Sequence, residues 1–298
     1  MEKLSFNSGE HYHKGLQVLR EKSGEFDKMR DILRLHLPPK IRKQLQTSQS
    51  DQFNVLSIGS GDGAIDLEVL QIVEEELQRD VKYRDMKIFN RAIEPNHHHL
   101  DLYKKAIENV PNKTAFDLRS QTLEQYTHEL SSKEEPPTKF DLVHFIHSLY
   151  YVDVEQVLQH CLEKRGTRER ASVLVVVEGK GLIAVLYNTA NQHLTPELAV
   201  GEPEESFPDQ IVKIAVKNGW KYEMFTQEYE IDVTEVFDED SVKGNLLLDF
   251  CTHLDNFRAT AEKAYIEQIL SVVRDQTTVK DGKRLGKKSD VVLVITKY

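Results

Sequence analysis

The stretch VLSIGSGDGAID at residues 55–66 constrains this chain more than any other. An apolar run ends in Gly59, Gly61 and Gly63, spaced one apart, and an apolar-periodic helix pattern follows at once. A glycine-rich turn between a buried strand and a helix lets backbone N–H groups approach a ligand closely, because no side chain stands in the way. The helix start adds a field that favours negative or polar groups. Turns of this kind belong to α/β sheets, and the rest of the chain agrees. Strand signals recur at 53–58, 87–93, 114–118, 140–146 and 172–177, with helical patterns between them at 64–79, 97–109, 121–132, 154–164 and 181–191. That alternation predicts a mostly parallel sheet covered by helices on both faces.

The flanks read differently. Residues 10–48 place Leu16, Leu19, Phe26, Met29, Ile32 and Leu33 at helical spacing. Pro38-Pro39 is expected to break the second of these helices. After 207, a helix stopped by Gly219 leads into an alternating strand at 221–233, and 290–298 reads as a final strand. Residues 235–275 between those strands are helical in character and too long for a hairpin loop. The expected organisation is an N-terminal helical lid (1–48), an α/β core (49–232), a helical insertion (233–286) and a last core strand (287–298).

Bulk properties narrow the function. The formal charge of −10 argues against a nucleic-acid partner. The short basic run KDGKRLGKK at 280–288 reads as a solvated loop. Cys161 and Cys251 are too few for a disulfide framework and suit a reducing cytosol. The N-terminus lacks the apolar core of a signal peptide, and the longest aliphatic run, VLVVV at 173–177, is far too short to span a bilayer. The expectation is a soluble cytoplasmic monomer acting on a small molecule, with no nucleic-acid or membrane partner.

Three ligands use a glycine loop of this shape. A nucleotide triphosphate loop needs Gly-Lys-Ser/Thr, which is absent. A dinucleotide loop of the form G-x-G-x-x-A is satisfied by Gly59, Gly61 and Ala64. The G-x-G-x-G spacing of Gly59, Gly61 and Gly63 instead resembles the first motif of methyltransferases that use S-adenosylmethionine (SAM). A purely structural turn is the plain alternative. The second strand ends RAIEPN, placing Glu94 where a carboxylate accepts hydrogen bonds from ribose hydroxyls in either an NAD or a SAM site. A solvated strand-end glutamate is the competing reading, and the matching glycines weigh against it. The fourth strand separates the two cofactors. FDLVHFIHSLYYV at 140–152 runs into aromatic residues that suit the wall of an acceptor pocket. Together with the terminal strand pair, this favours methyl transfer over hydride transfer.

Taken together, VLSIGSGDGAIDLEVL, IEPNHHHLDLYKK, FDLVHFIHSLYYV and GNLLLDFCTHLDNFRAT resemble the histamine N-methyltransferase family over most of the chain. The resemblance implies a seven-stranded SAM-methyltransferase (Rossmann-like) α/β sheet with an antiparallel last strand, a helical N-terminal lid and a helical insertion. It implies SAM as cofactor, held by Gly59, Gly61, Gly63, Glu94 and Ile146. His99 stands where the family has Gln, and the family's small hydroxyl residue near the adenine aligns with Leu123, or with Thr122 after a one-residue shift. On the acceptor side Tyr12, Glu25, Tyr150, Tyr151 and Phe250 fall on pocket positions with the family's residue type. His147 replaces a pocket Gln, and Lys288 (or Ser289 after a slip) replaces an Asn just before the last strand. The family's Trp residues after strand five are missing, which leaves Tyr187 as the nearest aromatic.

Under that resemblance the reaction is transfer of a methyl group to a nitrogen of a small amine or imidazole, histamine first. No catalytic acid or base is required, because a neutral imidazole nitrogen is already a nucleophile near pH 7. A different biogenic amine, or a non-catalytic protein of the same fold, are the alternatives. Each residue also has a structural reading. Glu25 sits beside Ser23 near a helix start and suits the helix dipole. His147 suits a satisfied core histidine or a base for a protonated acceptor. His97, His98 and His99 point about 100° apart on a helix and do not share one ion. Metal is not expected. Ser60 sits in G-S-G and not in a nucleophile elbow, so hydrolase chemistry has little support.

Overall fold

The computed structural model describes residues 4, 9–110, 113–132, 138–164, 167–194 and 206–297. Its first elements are α1 (Glu10–Ser23), α2 (Glu25–Leu45), β1 (Gln52–Ile58), α3 (Ala64–Gln78), β2 (Lys87–Ile93), α4 (His97–Ile107), β3 (Thr114–Arg119) and α5 (Leu123–Ser132). There follow β4 (Phe140–Ile146), α6 (Val154–Gln159), β5 (Thr167–Glu178), α7 (Leu182–Leu194), α8 (Phe207–Lys217) and β6 (Lys221–Asp232). The chain closes with α9 (Val242–Thr252), α10 (Phe257–Thr260), α11 (Lys263–Asp275), β7 (Thr277–Lys280) and β8 (Lys283–Thr296).

One sheet orders the strands β3-β2-β1-β4-β5-β8-β6, with β7 paired to β8 off that path. β1 pairs in parallel with both β2 and β4 although two strands intervene in sequence, so the strand order reverses beside β1. In open α/β sheets, ligands bind beyond the carboxyl ends of the strands at such a reversal. β2–β3 and β4–β5 are parallel as well. The eighth strand relative to the expected seven is β7. It forms an antiparallel hairpin with the start of β8 across Asp281-Gly282, whose φ angles are 52° and 76°. Two consecutive positive φ angles are what a two-residue hairpin turn requires, and Asp-Gly supplies them. The run at 280–288 is therefore a hairpin and not a solvated loop.

The chain divides into two compact units. The sheet unit comprises Met29–Val177, Gln210–Phe225 and Val292–Tyr298. Its core packs Val55 of β1, Leu142 of β4 and Val176 of β5 with α2 and α3 residues such as Leu37, Ile41, Val69 and Val73. α2 does not break at Pro38-Pro39; it continues to Leu45. Its buried face of Met29, Ile32, Leu33, Leu37, Ile41 and Leu45 is the reason. At about 1.5–3 kcal/mol per buried side chain, that face outweighs a cost of about 3 kcal/mol for each proline.

The helical unit comprises Met1–Lys28, Glu178–Asp209 and Thr226–Val291. Val18 and Leu19 of α1, Leu186 of α7, Leu247 and Leu248 of α9 and Ile269 of α11 share its core. α1 ends where Gly24 turns left-handed at φ 65°, its N–H donating to the Arg20 carbonyl at 2.9 Å. Cys161 and Cys251 are buried free thiols, and burial pushes each up to about 12. Among the described residues no helix is long and apolar enough to cross a membrane.

Candidate active site

In the sheet unit the glycine loop takes the geometry its sequence predicts. Gly59, Gly61 and Gly63 have φ of 71°, 58° and 80°, a region that side-chain-bearing residues enter only at a cost. They serve different purposes. A Cβ at Gly59 would lie 2.3 Å from Ser148 Cβ, and one at Gly63 would lie 2.2 Å from the Tyr103 ring. A Cβ at Gly61 would meet nothing within 4 Å. Two glycines are thus required for packing, and the third leaves open space beside the loop backbone where its Cβ would stand. Its backbone N–H is already engaged.

That N–H is the link to the second strand. Gly61 N donates to Glu94 Oε2 at 2.8 Å, and Asn96 N donates to Glu94 Oε1 at 2.7 Å. Glu94 is 3 % exposed, and its burial raises the carboxyl above its usual range, partly countered by those two donors. The Ser60 hydroxyl is buried and lacks a hydrogen-bond partner among the described residues. An open glycine, a strand-end carboxylate and an unpaired hydroxyl on adjacent residues fit a ribose-bearing ligand with hydroxyls to share.

A layer beneath the loop escaped the sequence reading. Asp66 of α3 accepts from Ser57 Oγ at 2.8 Å and from the Tyr103 hydroxyl at 3.0 Å, and Tyr103 also accepts from Asn90 at 2.9 Å. Burial drives the Asp66 carboxyl up to about 7 against those hydrogen bonds. His144 of β4 lies 3.7 Å from Asp66, and burial lowers it to about 3. Tyr103 and His144 carried no signal, since each is a polar residue in an otherwise ordinary helix or strand pattern.

The other expected cofactor residues lie at or just beyond the ends of β2, β3 and β4. The Asn96 side chain caps α4 by accepting from His98 N and His99 N, which buries His99 in the first turn. His97 is exposed and His98 half-buried, so the three histidines diverge. The Thr122 hydroxyl accepts from Gln125 N at 3.2 Å while Gln125 Oε1 accepts from Thr122 N at 2.8 Å. That reciprocal pair is a capping box for α5, a structural task the alignment argument did not foresee. Ile146 is the half-buried last residue of β4. His147 follows at φ 53°, a strained position for a non-glycine residue, with Nδ1 3.3 Å from the Tyr150 hydroxyl. Tyr151 completes a 3-10 turn with Leu149 and Tyr150, and its side chain lies outside the described residues.

In the helical unit the remaining expected residues form two groups. The Tyr12 and Phe250 rings stand 5.3 Å apart, and Gly15 brings α1 onto Phe250, where a Cβ would sit at 3.2 Å. His253, which ends α9 at φ 55°, extends this aromatic group to Tyr187, whose ring is 4.7 Å away and edge-on. Burial lowers His253 to about 4, so it is neutral at pH 7. The second group holds Glu25 and Lys288. Glu25 opens α2, is 6 % exposed and receives the Lys288 ammonium at 3.1 Å. Lys288 does not precede the last strand; it lies inside β8, because the hairpin with β7 starts that strand at Lys283. Glu178 at 2.7 Å and Asp290 at 2.8 Å complete its surroundings. Neither acid was singled out in the sequence.

No protein-family profile matches the chain. Histamine N-methyltransferase of Danio rerio is 28% identical over 95% of this chain and 94% of its own length. Histamine N-methyltransferase B of Xenopus laevis is 26% identical over 95% and 94%. Carnosine N-methyltransferase 2 of Gallus gallus is 27% identical over 86% and 77%. Among solved structures, loganic acid methyltransferase with S-adenosylhomocysteine (SAH) superposes with a TM-score of 0.52 at 9% identity, covering 98% of this chain and 96% of that one. The chain is a SAM-dependent methyltransferase. The fold, the reversal beside β1 and the full-length likeness to methyltransferases agree on this. In the methyltransferase, Gly61, Ser60 and Glu94 are the residues suited to hold the cofactor's ribose. Bound there, SAM would supply a methyl group on a sulfonium.

Proposed function

We propose that this methyltransferase acts on a nitrogen of a small amine or imidazole, with histamine as the acceptor. The observation that carries the reading is the Glu25 carboxylate, buried to 6 % exposure in the same unit as the Tyr12–Phe250 pair. A carboxylate there suits an imidazole N–H or an ammonium through a charge-assisted hydrogen bond. Aromatic faces in that unit suit the same cation. A neutral imidazole nitrogen needs no base to react, so the protein's contribution is alignment and close approach. The names of two relatives, a histamine and a carnosine N-methyltransferase, point to the same class of acceptor. His147, Tyr150 and Tyr151 are assigned to the acceptor side on the resemblance. The chain is further proposed to be a cytosolic monomer without nucleic-acid or membrane partners, in keeping with its charge of −10 and buried thiols. Residues 1–48 are proposed as a lid, 49–232 as cofactor core, 233–286 as the acceptor-side insertion and 287–298 as the last core strand.

A methyl-transfer assay across histamine, other biogenic amines and imidazoles tests the reading, with Glu25→Gln as control. A hydrogen bond to a charged group contributes about 1.5–3 kcal/mol. The variant is therefore expected to lose about 10- to 100-fold in acceptor kcat/KM. Turnover of histamine by Glu25→Gln at the wild-type level would remove the proposal. One observation favours a second reading. Lys288 already places an ammonium 3.1 Å from Glu25, where the resemblance has an amide, and the changed hydrogen-bond pattern makes another small amine or imidazole the second reading. The same panel separates the two by which compound has the highest kcat/KM.

A further inference from the structure

Lys288 and Asp290 are each 1 % exposed. Burying an ammonium is expensive unless it is paired at close range, and an apolar residue would fill a strand position without that expense. Lys288 is paired three times, to the first residue of α2, the last residue of β5 and its neighbour in β8, all at 2.7–3.1 Å. Its ammonium also lies 5.1 Å over the Tyr229 ring, and the Tyr229 hydroxyl donates to Asp290 at 2.6 Å. Glu25 itself opens a helix, where its side chain would otherwise turn about several bonds. The contact with Lys288 ties that carboxylate to a sheet strand.

We propose that Lys288 is a positioning residue for the acceptor, its ammonium fixing the Glu25 carboxylate in the orientation that takes the acceptor's N–H. This rests on the assignment of Glu25 to the acceptor in the proposed function. A positioning role and a merely charge-balancing role give different results in two variants. Lys288→Met is expected to raise the histamine KM about tenfold, while the SAH dissociation constant stays within about twofold. Lys288→Met/Asp290→Asn removes one charge of each sign, so the cluster keeps the net charge it has in the wild type while Glu25 loses its ammonium. If Lys288 positions Glu25, the histamine KM stays raised at least about fivefold in this pair. Recovery of KM to within about twofold in the pair, or an unchanged KM in Lys288→Met, overturns the proposal. Glu25→Gln distinguishes the two failures. If it leaves histamine KM unchanged, the acceptor assignment itself falls; if it raises KM while the Lys288 variants do not, only the positioning role falls.

Discussion

Alanine at two neighbouring glycines is expected to break this protein in different ways. Both Gly61 and Gly63 are left-handed, at φ 58° and 80°, so alanine costs roughly 1–2 kcal/mol of backbone strain at either. At Gly61 that is the whole stability loss, since the added methyl meets nothing within 4 Å. At Gly63 the methyl would lie 2.2–2.5 Å from three carbons of the Tyr103 ring. That ring is fully buried and its hydroxyl is held by Asp66 and Asn90, so it has nowhere to go. Overpacking of this kind adds about 1–3 kcal/mol, for a total of about 2–5 kcal/mol. Ligand affinity should show the reverse order. If the loop cradles the cofactor, the methyl of Gly61→Ala stands in the open space it would approach, and a loss of about 30-fold in SAH affinity, about 2 kcal/mol, is expected. Urea unfolding and calorimetric titration with SAH measure both quantities on the same samples. If Gly61→Ala binds SAH within about threefold of wild type, the loop is not the cofactor cradle. If Gly63→Ala is no less stable than Gly61→Ala, the packing argument for that glycine is wrong.

Glu94→Gln should weaken SAH binding by about 10- to 100-fold, because an amide replaces a carboxylate that accepts from two backbone donors and is suited to ribose hydroxyls; calorimetry showing an affinity within about threefold would count against the ribose assignment. Asp66 predicts a pH dependence of stability. Its carboxyl is raised from 3.8 to about 7 in the folded protein, so the folded state holds the proton longer than the unfolded one. Its contribution is fully present below pH 4 and is lost as pH rises to about 7, at up to about 1.4 kcal/mol per pH unit. The unfolding free energy of Asp66→Asn, relative to wild type, should therefore rise between pH 4.5 and pH 7. Parallel curves in denaturant titrations would show that Asp66 ionises normally.

The parts of this molecule that were legible from the chain are those in which neighbours in sequence do the work. The five parallel strands follow from strand-like stretches of five to seven residues alternating with helical patterns, and the glycine loop follows from backbone geometry that only glycine adopts easily. The Asp281-Gly282 hairpin is equally local: two consecutive left-handed residues in a basic run make the turn, whatever the charge around them. Pro38-Pro39 misled for the opposite reason: the local rule was sound, but the buried face of α2 overrode it, and burial is a property of partners distant in sequence. The candidate site divides the same way. Glu94 and the glycines sit at strand ends, where position in the sheet gives position in space. Glu25 and Lys288 are held together only by the fold, 3.1 Å apart in space and more than 250 positions apart in sequence. Pattern reading treats each as an isolated charge, one beside a helix start and one in a basic run, for which solvent exposure is the sensible expectation. The resemblance named both as pocket residues but carried an amide's role onto Lys288. An amide and an ammonium facing the same carboxylate differ in what they leave for a ligand: the amide shares a neutral hydrogen bond, whereas the ammonium adds a charge that must be balanced. That balance comes from Glu178 and Asp290, so exchanging one residue for Lys288 draws two further acids into the surroundings of Glu25.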